Sequence, residues 1–367
     1  MQKKNKMRKL ATIRKITDIS PIEGADKIEL VTVGGWKVVV AKDVGHKVGD
    51  LVVYCEIDSF LPIREEFEFL RKSSYKKMSD GTEGFRLKTI RLRGQLSQGL
   101  ILPLSVFSGY NYRVSQNLLN GYCALEPNRI VISPADMIEL SEGTDVTEKL
   151  GIVKYEPPIP AELAGKVKGL FPSFIRKTDE ERIQNLTSEY EEFKKQKFYV
   201  TEKLDGSSAT FYYKDGIFGV CSRNLELLET EGNTFWKVAR ELDLENKMKD
   251  FGVNISVQGE LIGEGIQGNP YKIKGQTVRF FNLFDIDLQE YHSFNMTKKS
   301  LDVMGLEMVP VIDEFFTLPD TVDEILKYAE DKSKLNPDFD REGVVIRTLD
   351  RKVSFKVISN KFLLNEK

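Results

Sequence analysis

Lys203 stands in the run Thr201-Glu202-Lys203-Leu204-Asp205-Gly206-Ser207-Ser208, between two β-rich stretches, where a side chain at a strand end can face a cleft. A lysine amine attacks an electrophile only when neutral, so such a site must lower its pKa from about 10.4 by burial or cationic neighbours. Alone, the run reads more readily as a surface lysine before an Asp-Gly turn. Five further segments follow in order: Ser222-Arg223-Asn224, Gly259-Glu260, Phe281 to Asp285, Arg341-Glu342-Gly343 and Ser354-Phe355-Lys356-Val357. Glu260 lies inside an apolar stretch, and burying an unpaired carboxylate is costly. Taken singly, Phe281 reads as core, Glu342 as turn chemistry and Lys356 as a strand-end lysine with its stem on apolar surface. With only His46 and His292, chemistry built on several histidines is excluded. Cys55, Cys123 and Cys221 are odd in number and widely spaced, against a disulfide framework or a zinc cluster.

These residues need a scaffold, and 367 residues favour two domains. Composition is that of a globular protein, with 41% hydrophobic and 30% charged residues and a net charge of −2. No apolar run reaches the ~18 residues of a membrane span, and the basic start MQKKNKMRKL is followed by no apolar stretch of a secretory signal. A cytoplasmic or nuclear protein, not a secreted one, is expected. The fold expected is α+β. Residues 1–152 read as short β-branched strands broken by glycine turns, an OB-like barrel. Residues 153–180, with Pro157, Pro158, Pro160 and Pro172, read as a linker. Residues 181–367 read as antiparallel sheets flanked by helices. Within them Asp215-Gly216 marks a hairpin turn, and Thr321-x-x-Glu324 marks a capped helix. Thr178-Asp-Glu-Glu181 reads as a capping box opening a helix to about Lys195.

Charge is uneven. Lys3, Lys4, Lys6, Arg8, Lys9, Arg14 and Lys15 crowd the first fifteen residues, and no acid falls between Phe85 and Leu125. FRLKTIRLRG alternates so that Arg86 and Lys88 share one strand face and Arg91 and Arg93 share one face, a surface able to track phosphates. A solvated charged strand is the plainer alternative. Trp36, Tyr54 and Phe85 are available to stack on bases or to fill a core.

The ordered set from Lys203 to Lys356 resembles the covalent nucleotidyltransferase superfamily of ATP-dependent ligases and RNA capping enzymes. Lys203-x-Asp205-Gly206 matches its nucleophile motif. The resemblance implies an ATP-grasp-like domain, ATP with Mg²⁺ or Mn²⁺, and a lysyl-adenylate on Lys203. It implies Glu260 near the ribose, Arg223 and Asn224 on ribose or phosphates, Phe281 stacked on adenine, and Glu202 and Leu204 beside the base. Lys356 falls on the α-phosphate, where it would also depress the pKa of Lys203, and Asp205, Glu260 and Glu342 fall near a divalent metal. Ser354 replaces the first of two lysines many relatives carry there, with Lys352 as a substitute.

The chain runs only eleven residues beyond Lys356, leaving no room for the C-terminal OB domain of DNA ligases and capping enzymes. Its β-domain comes first. With Val33-Gly-Gly-Trp36, Arg93-Gly-Gln-Leu-Ser-Gln-Gly99 and the segment Phe171 to Arg182, it resembles the RNA ligase family typified by Naegleria and Deinococcus enzymes. That implies a monomer acting on RNA, at nicks in duplexes with an RNA 3′-OH end, in which Lys177 or Arg182 assists. The competing readings are a DNA-joining or capping transferase, and an RNA-binding protein with a decayed transferase domain. The intact set Lys203, Glu260, Glu342 and Lys356 argues against decay.

Overall fold

The computed structural model describes residues 9–78, 81–107, 112–114, 138–155 and 165–365. Lys3, Lys4, Lys6, Arg8, Cys123, Pro157, Pro158 and Pro160 lie outside them, as does the side chain of Arg113. The chain divides into two compact units, Met1–Pro158 and Ile159–Lys367.

The first unit carries β1 (Ala11–Pro21), β2 (Ile28–Val33), β3 (Trp36–Ala41), β4 (Leu51–Cys55), β5 (Ser59–Pro62), β6 (Tyr75–Lys77), β7 (Glu83–Arg86), β8 (Thr89–Leu92), β9 (Gln95–Gln98), β10 (Leu100–Leu102), β11 (Tyr112–Val114), β12 (Ile138–Leu140) and β13 (Val153–Lys154). A five-stranded sheet runs β10-β4-β1-β2-β3, and a four-stranded one runs β13-β5-β7-β6. β1 pairs with β4 through Ala11–Lys15 and with β2 through Ile16–Pro21, with a register shift between Ile16 and Asp18. A bulge of this kind bends a strand and raises its twist, which curves the sheet round an apolar centre. Ile13, Val53, Leu61, Phe67, Phe85 and Phe107 fill that centre.

One expectation is corrected here and one open alternative is decided. FRLKTIRLRG is not one strand: β7 ends at Arg86 in the four-stranded sheet and β8 begins at Thr89 and pairs with β9 alone, although Arg86 and Lys88 keep the expected common face opposite buried Phe85, Leu87 and Thr89. Arg93 (φ 46°) and Gly94 (φ 80°) form the turn between β8 and β9. Trp36, Tyr54 and Phe85 are fully buried and belong to the core, with the Tyr54 hydroxyl donating to the Gln98 carbonyl at 3.0 Å. None of the three offers a face to a base.

The second unit carries β14 (Val167–Leu170), β15 (Glu181–Arg182), β16 (Phe198–Lys203), β17 (Ser207–Lys214), β18 (Ile217–Cys221), β19 (Leu225–Leu227), β20 (Ile255–Gly263), β21 (Gln276–Asp285), β22 (Glu290–Tyr291), β23 (Val311–Phe316), β24 (Gly343–Thr348) and β25 (Ser354–Ile358). A seven-stranded sheet runs β14-β19-β18-β17-β20-β21-β22 and a five-stranded one β15-β25-β24-β16-β23. Asp215 and Gly216 (φ 51° and 81°) make the expected hairpin turn between β17 and β18. Thr321 caps the helix Val322–Ala329 with a complete capping box to Glu324.

The other helix signal misleads. Glu181 and Arg182 form β15, parallel to β25, and only Tyr190–Phe193 is α-helical between 178 and 195. The Glu181 carboxylate accepts from the Arg182 amide at 2.9 Å and from Asn185 Nδ2 at 2.8 Å. Burial of Arg182, Ile183 and Gln184 outweighs the local helix signal. Part of the expected linker is also sheet, since β14 pairs with β19, and Ile175 is buried against Tyr212 and Phe284.

One crossing positions the chemistry. β16 lies in the five-stranded sheet and β17 in the seven-stranded one, so the chain passes from sheet to sheet at Leu204-Asp205-Gly206. Lys203 is the last residue before that crossing.

Candidate active site

β16 is buried through Phe198–Glu202 and emerges only at Lys203, so burial drives the strand home and leaves its final side chain half out. Register places Lys203 opposite Gly343 on β24 and Ser208 opposite Glu260 on β20. Lys203 thus lies beside Glu342, just ahead of β24, and feels the charge of Glu260 on β20. Its ammonium donates to both carboxylate oxygens of Glu342 at 2.6 Å.

The two glycines beside these residues are dictated by close approach. A Cβ at Gly206 would sit 2.4 Å from the Leu261 carbonyl and 2.8 Å from Glu260 Cγ. A Cβ at Gly343 would sit 2.1 Å from the Val357 carbonyl. Lys-x-Asp-Gly and Arg-Glu-Gly are therefore packing statements as well as chemical ones.

Burial by itself would lower the Lys203 pKa, but Glu342, Glu260 and Asp205 outweigh it and hold the amine above its ordinary value. This corrects the expectation that Lys356 depresses it: the Lys356 ammonium lies 3.3 Å from Asp179 Oδ1, and carboxylates dominate the surroundings of Lys203. Glu260 is pushed up to about 8, chiefly by burial, with Glu342 and Asp205 adding to Glu260's rise against the pull of Lys203 and Arg223.

Glu202 is 2% exposed; its Oε2 accepts from the Lys334 amide at 2.8 Å and its Oε1 has no hydrogen-bond partner. Burial raises its pKa. Leu204 packs with Ile262, Tyr271 and Val309, and Phe281 packs against that same cluster. The Arg347 guanidinium lies 5.7 Å from the Phe281 ring centroid. Lys177 donates to Asn224 Oδ1 at 2.9 Å, and Arg223 is exposed, 4.0 Å from Asp179. Arg182 is buried and pairs in register with Lys356. Lys352 is 84% exposed and 3.1 Å from Asp350. In the first unit, Arg86 pairs with Asp58 at 3.1 Å and stacks 4.5 Å from the Tyr155 centroid, apart from the exposed Arg91 and Arg93. Lys88 is half-buried between the inward-turned Leu87 and Thr89.

Three groups escaped the reading of the sequence. Arg347 is buried in β24, donating to Thr201 Oγ1 at 3.0 Å and to Glu180 at 3.3 Å. Burial alone would raise the Glu180 pKa, yet Arg347, Arg351 and Lys356 hold it below the usual range. A cation inside GVVIRT is the same kind of signal as Glu260 in its apolar strand and would have found Arg347. Tyr271, whose hydroxyl accepts from the Asp205 amide at 2.6 Å, left no such signal.

Among the described residues no three His, Cys, Asp or Glu side chains are already gathered as a metal cage. Asp205, Glu260 and Glu342 are nonetheless hard oxygen donors grouped by charge around Lys203. That suits an ion such as Mg²⁺ or Mn²⁺, which is held by one or two carboxylates together with phosphate and water.

Two sheets joined at Leu204-Asp205-Gly206, with Lys203 at the crossing, carboxylates around it and a Leu204–Phe281 apolar cluster beside it, form a nucleotidyltransferase domain, here following a small β-barrel unit. A family model for an OB-fold domain matches residues 10–104, and one for RNA ligase matches residues 196–358. Solved structures of Naegleria gruberi RNA ligase superimpose closely. An apo aspartate-to-alanine variant has 42% identity, covers 97% of both chains and has a TM-score of 0.83. A lysine-to-alanine variant with ATP and Mn has 42% identity, 97% of this chain and 98% of that one covered, and a TM-score of 0.82. The ligase with PPi has 43% identity over the same shares and a TM-score of 0.82. No curated protein sequence matches the chain. The chain belongs to the RNA ligase family, with an OB-fold domain ahead of the ligase domain.

Proposed function

We propose that this protein is an ATP-dependent RNA ligase that seals 3′-OH/5′-phosphate nicks in duplexes whose 3′-OH strand is RNA. The observation that carries the reading is the placement of Lys203, held by Glu342 at the crossing between the sheets, next to Leu204 of the apolar cluster that Phe281 packs against. In the first step the Lys203 ammonium gives up its proton, Glu342 being the nearest acceptor. The neutral amine attacks the α-phosphorus of ATP, an N–P bond forms and pyrophosphate leaves. In the second, a 5′-phosphate oxygen takes the AMP and the N–P bond breaks. In the third, the 3′-hydroxyl attacks that 5′-phosphate and AMP departs. All three are displacements at phosphorus, governed by positioning and charge neutralisation.

Phe281 stacks on adenine, Leu204 contributes to the nucleotide site, and Glu202 Oε1 accepts from the base edge. Glu260 meets the ribose, Arg223 and Asn224 meet ribose or phosphates, and Lys356 meets the α-phosphate. Asp205, Glu260 and Glu342 would hold Mg²⁺ or Mn²⁺, which supplies neutralisation of phosphate charge. Exposed Arg91 and Arg93, in a stretch without acids, meet the RNA backbone. The test is sealing of a nicked duplex carrying either an RNA or a DNA 3′-OH end. Sealing of the RNA end alone supports the reading; equal sealing of both ends, or no sealing, overturns its substrate assignment.

A further inference from the structure

The turn that follows Lys203 is held by a loop outside the motif segments. Residues 264–275, between β20 and β21, lie over Leu204-Asp205-Gly206. The Asp205 amide donates to the Tyr271 hydroxyl at 2.6 Å, and Gln267 Nε2 donates to the Gly206 carbonyl at 3.3 Å. Tyr271 is 3% exposed and packs on Leu204, Ile262 and Val309. Its ring meets the edge of Phe339 at 5.9 Å and 83°.

The same loop grips the segment leading to Glu342. Asn336 Nδ2 donates to the Pro270 carbonyl at 2.6 Å, and Lys272 pairs with Asp338 at 2.8 Å. One loop therefore braces both sides of the Lys203–Glu342 pair. Three non-glycine residues in it, Gln267, Asn269 and Lys272, adopt left-handed φ of 45°, 52° and 55°. Such backbone is costly and persists where the surroundings over-determine it, often at functional sites. Asn269 is held there by two hydrogen bonds to Ile273, at 2.9 and 3.1 Å.

We propose that Tyr271 is a positioning residue for lysine adenylation: its buried hydroxyl fixes the Asp205 amide, and with it the angle at which Lys203 leaves β16 toward the α-phosphate. The ring packs; the hydroxyl positions. The inference rests on Lys203 being the adenylated group.

The experiment uses the full chain with Mg²⁺ and α-³²P-ATP in single turnover, comparing wild type with Tyr271→Phe and Tyr271→Leu. Tyr271→Phe keeps the ring and removes the hydroxyl. It should slow labelling at saturating ATP by about 10-fold or more, since small misplacements of a reacting group are expensive. The ATP concentration for half-maximal rate should stay within about 2-fold, and hydrogen exchange at the Asp205 amide should quicken. Tyr271→Leu should in addition lower the melting temperature. Wild-type labelling by Tyr271→Phe, or a defect cured by more ATP, overturns the inference and leaves the ligase reading standing. Absence of label on wild type overturns both. Should Tyr271→Phe fail to fold, exposed Gln267→Ala tests the second tether: a rate loss of about 3-fold at saturating ATP supports the inference, and an unchanged rate overturns it.

Discussion

Glu342 accepts from the Lys203 ammonium with both carboxylate oxygens at 2.6 Å, although the two residues are 139 positions apart in the chain. The pair is set by β16–β24 register, which puts Lys203 against Gly343, and by a glycine that brings β24 close to Val357. Without nucleotide, the amine is held protonated by the carboxylates around it, Glu342 first. Lys203 is thus held in an unreactive form, and the proposed reaction requires that Glu342 release the amine before attack.

Acylation of lysines by an amine-selective reagent at about pH 8 reads this directly. Lys203 should react more slowly than the exposed Lys352, whose ammonium also pairs with a carboxylate but in solvent. Glu342→Gln should speed Lys203 acylation several-fold, because losing the charge lowers the amine's pKa. An unchanged Lys203 rate would show that Glu342 does not restrain the amine.

Phe281→Ala should raise the ATP concentration for half-maximal labelling. Loss of base stacking costs about 1–3 kcal/mol, which is about 5- to 150-fold. Phe281→Tyr should stay near wild type. Equal effects of the two would assign Phe281 to packing instead.

The Glu180–Arg347 pair predicts an acid-dependent stability difference. Arg347 is 3% exposed on its side chain and Glu180 21%, with 3.3 Å between charged atoms. The Glu180 pKa is lowered in the fold, so its stabilisation is present above the unfolded carboxylate pKa of about 4.3 and is lost as pH falls through the lower folded value. Glu180→Gln should cost about 1–3 kcal/mol in urea unfolding at pH 7, and the gap should narrow below about pH 4. A gap constant from pH 7 to 3 would contradict the ion-pair account.

Arg91→Ala and Arg93→Ala should each weaken binding of a nicked RNA duplex and reduce the salt slope by about 1. Neither should alter lysine labelling, which needs no RNA. Titration of binding against salt from about 50 to 200 mM distinguishes a phosphate contact from a solvated arginine.

What the sequence made legible had strict local requirements. Lys203, Asp205 and Gly206 could be read because a strand end, a turn and a steric limit fall within four residues. Glu260 announced itself as a carboxylate in an apolar strand. Arg347 gave the same signal and was passed over because its partners, Thr201 and Glu180, are 146 and 167 residues away. Tyr271 was illegible for a different reason: it acts through one hydroxyl on one backbone amide, and nothing separates it from the other tyrosines of the chain. Thr178–Glu181 satisfied the pattern of a capping box, yet pairing with β25 and burial of Ile183 decided its conformation. In FRLKTIRLRG the alternation holds from Phe85 to Thr89 and is lost from Ile90 onward, where β8 pairs only with β9 and successive residues are exposed.

The central claim is that Lys203 becomes covalently bound to AMP. The measurement is label transfer from α-³²P-ATP with Mg²⁺, followed by denaturation and by peptide mapping of the labelled site. One label per chain is expected, acid-labile as a phosphoramidate, on the peptide containing Lys203, and none on Lys203→Ala. Label on another residue, label surviving Lys203→Ala, or a folded, AMP-free protein that takes no label would contradict it.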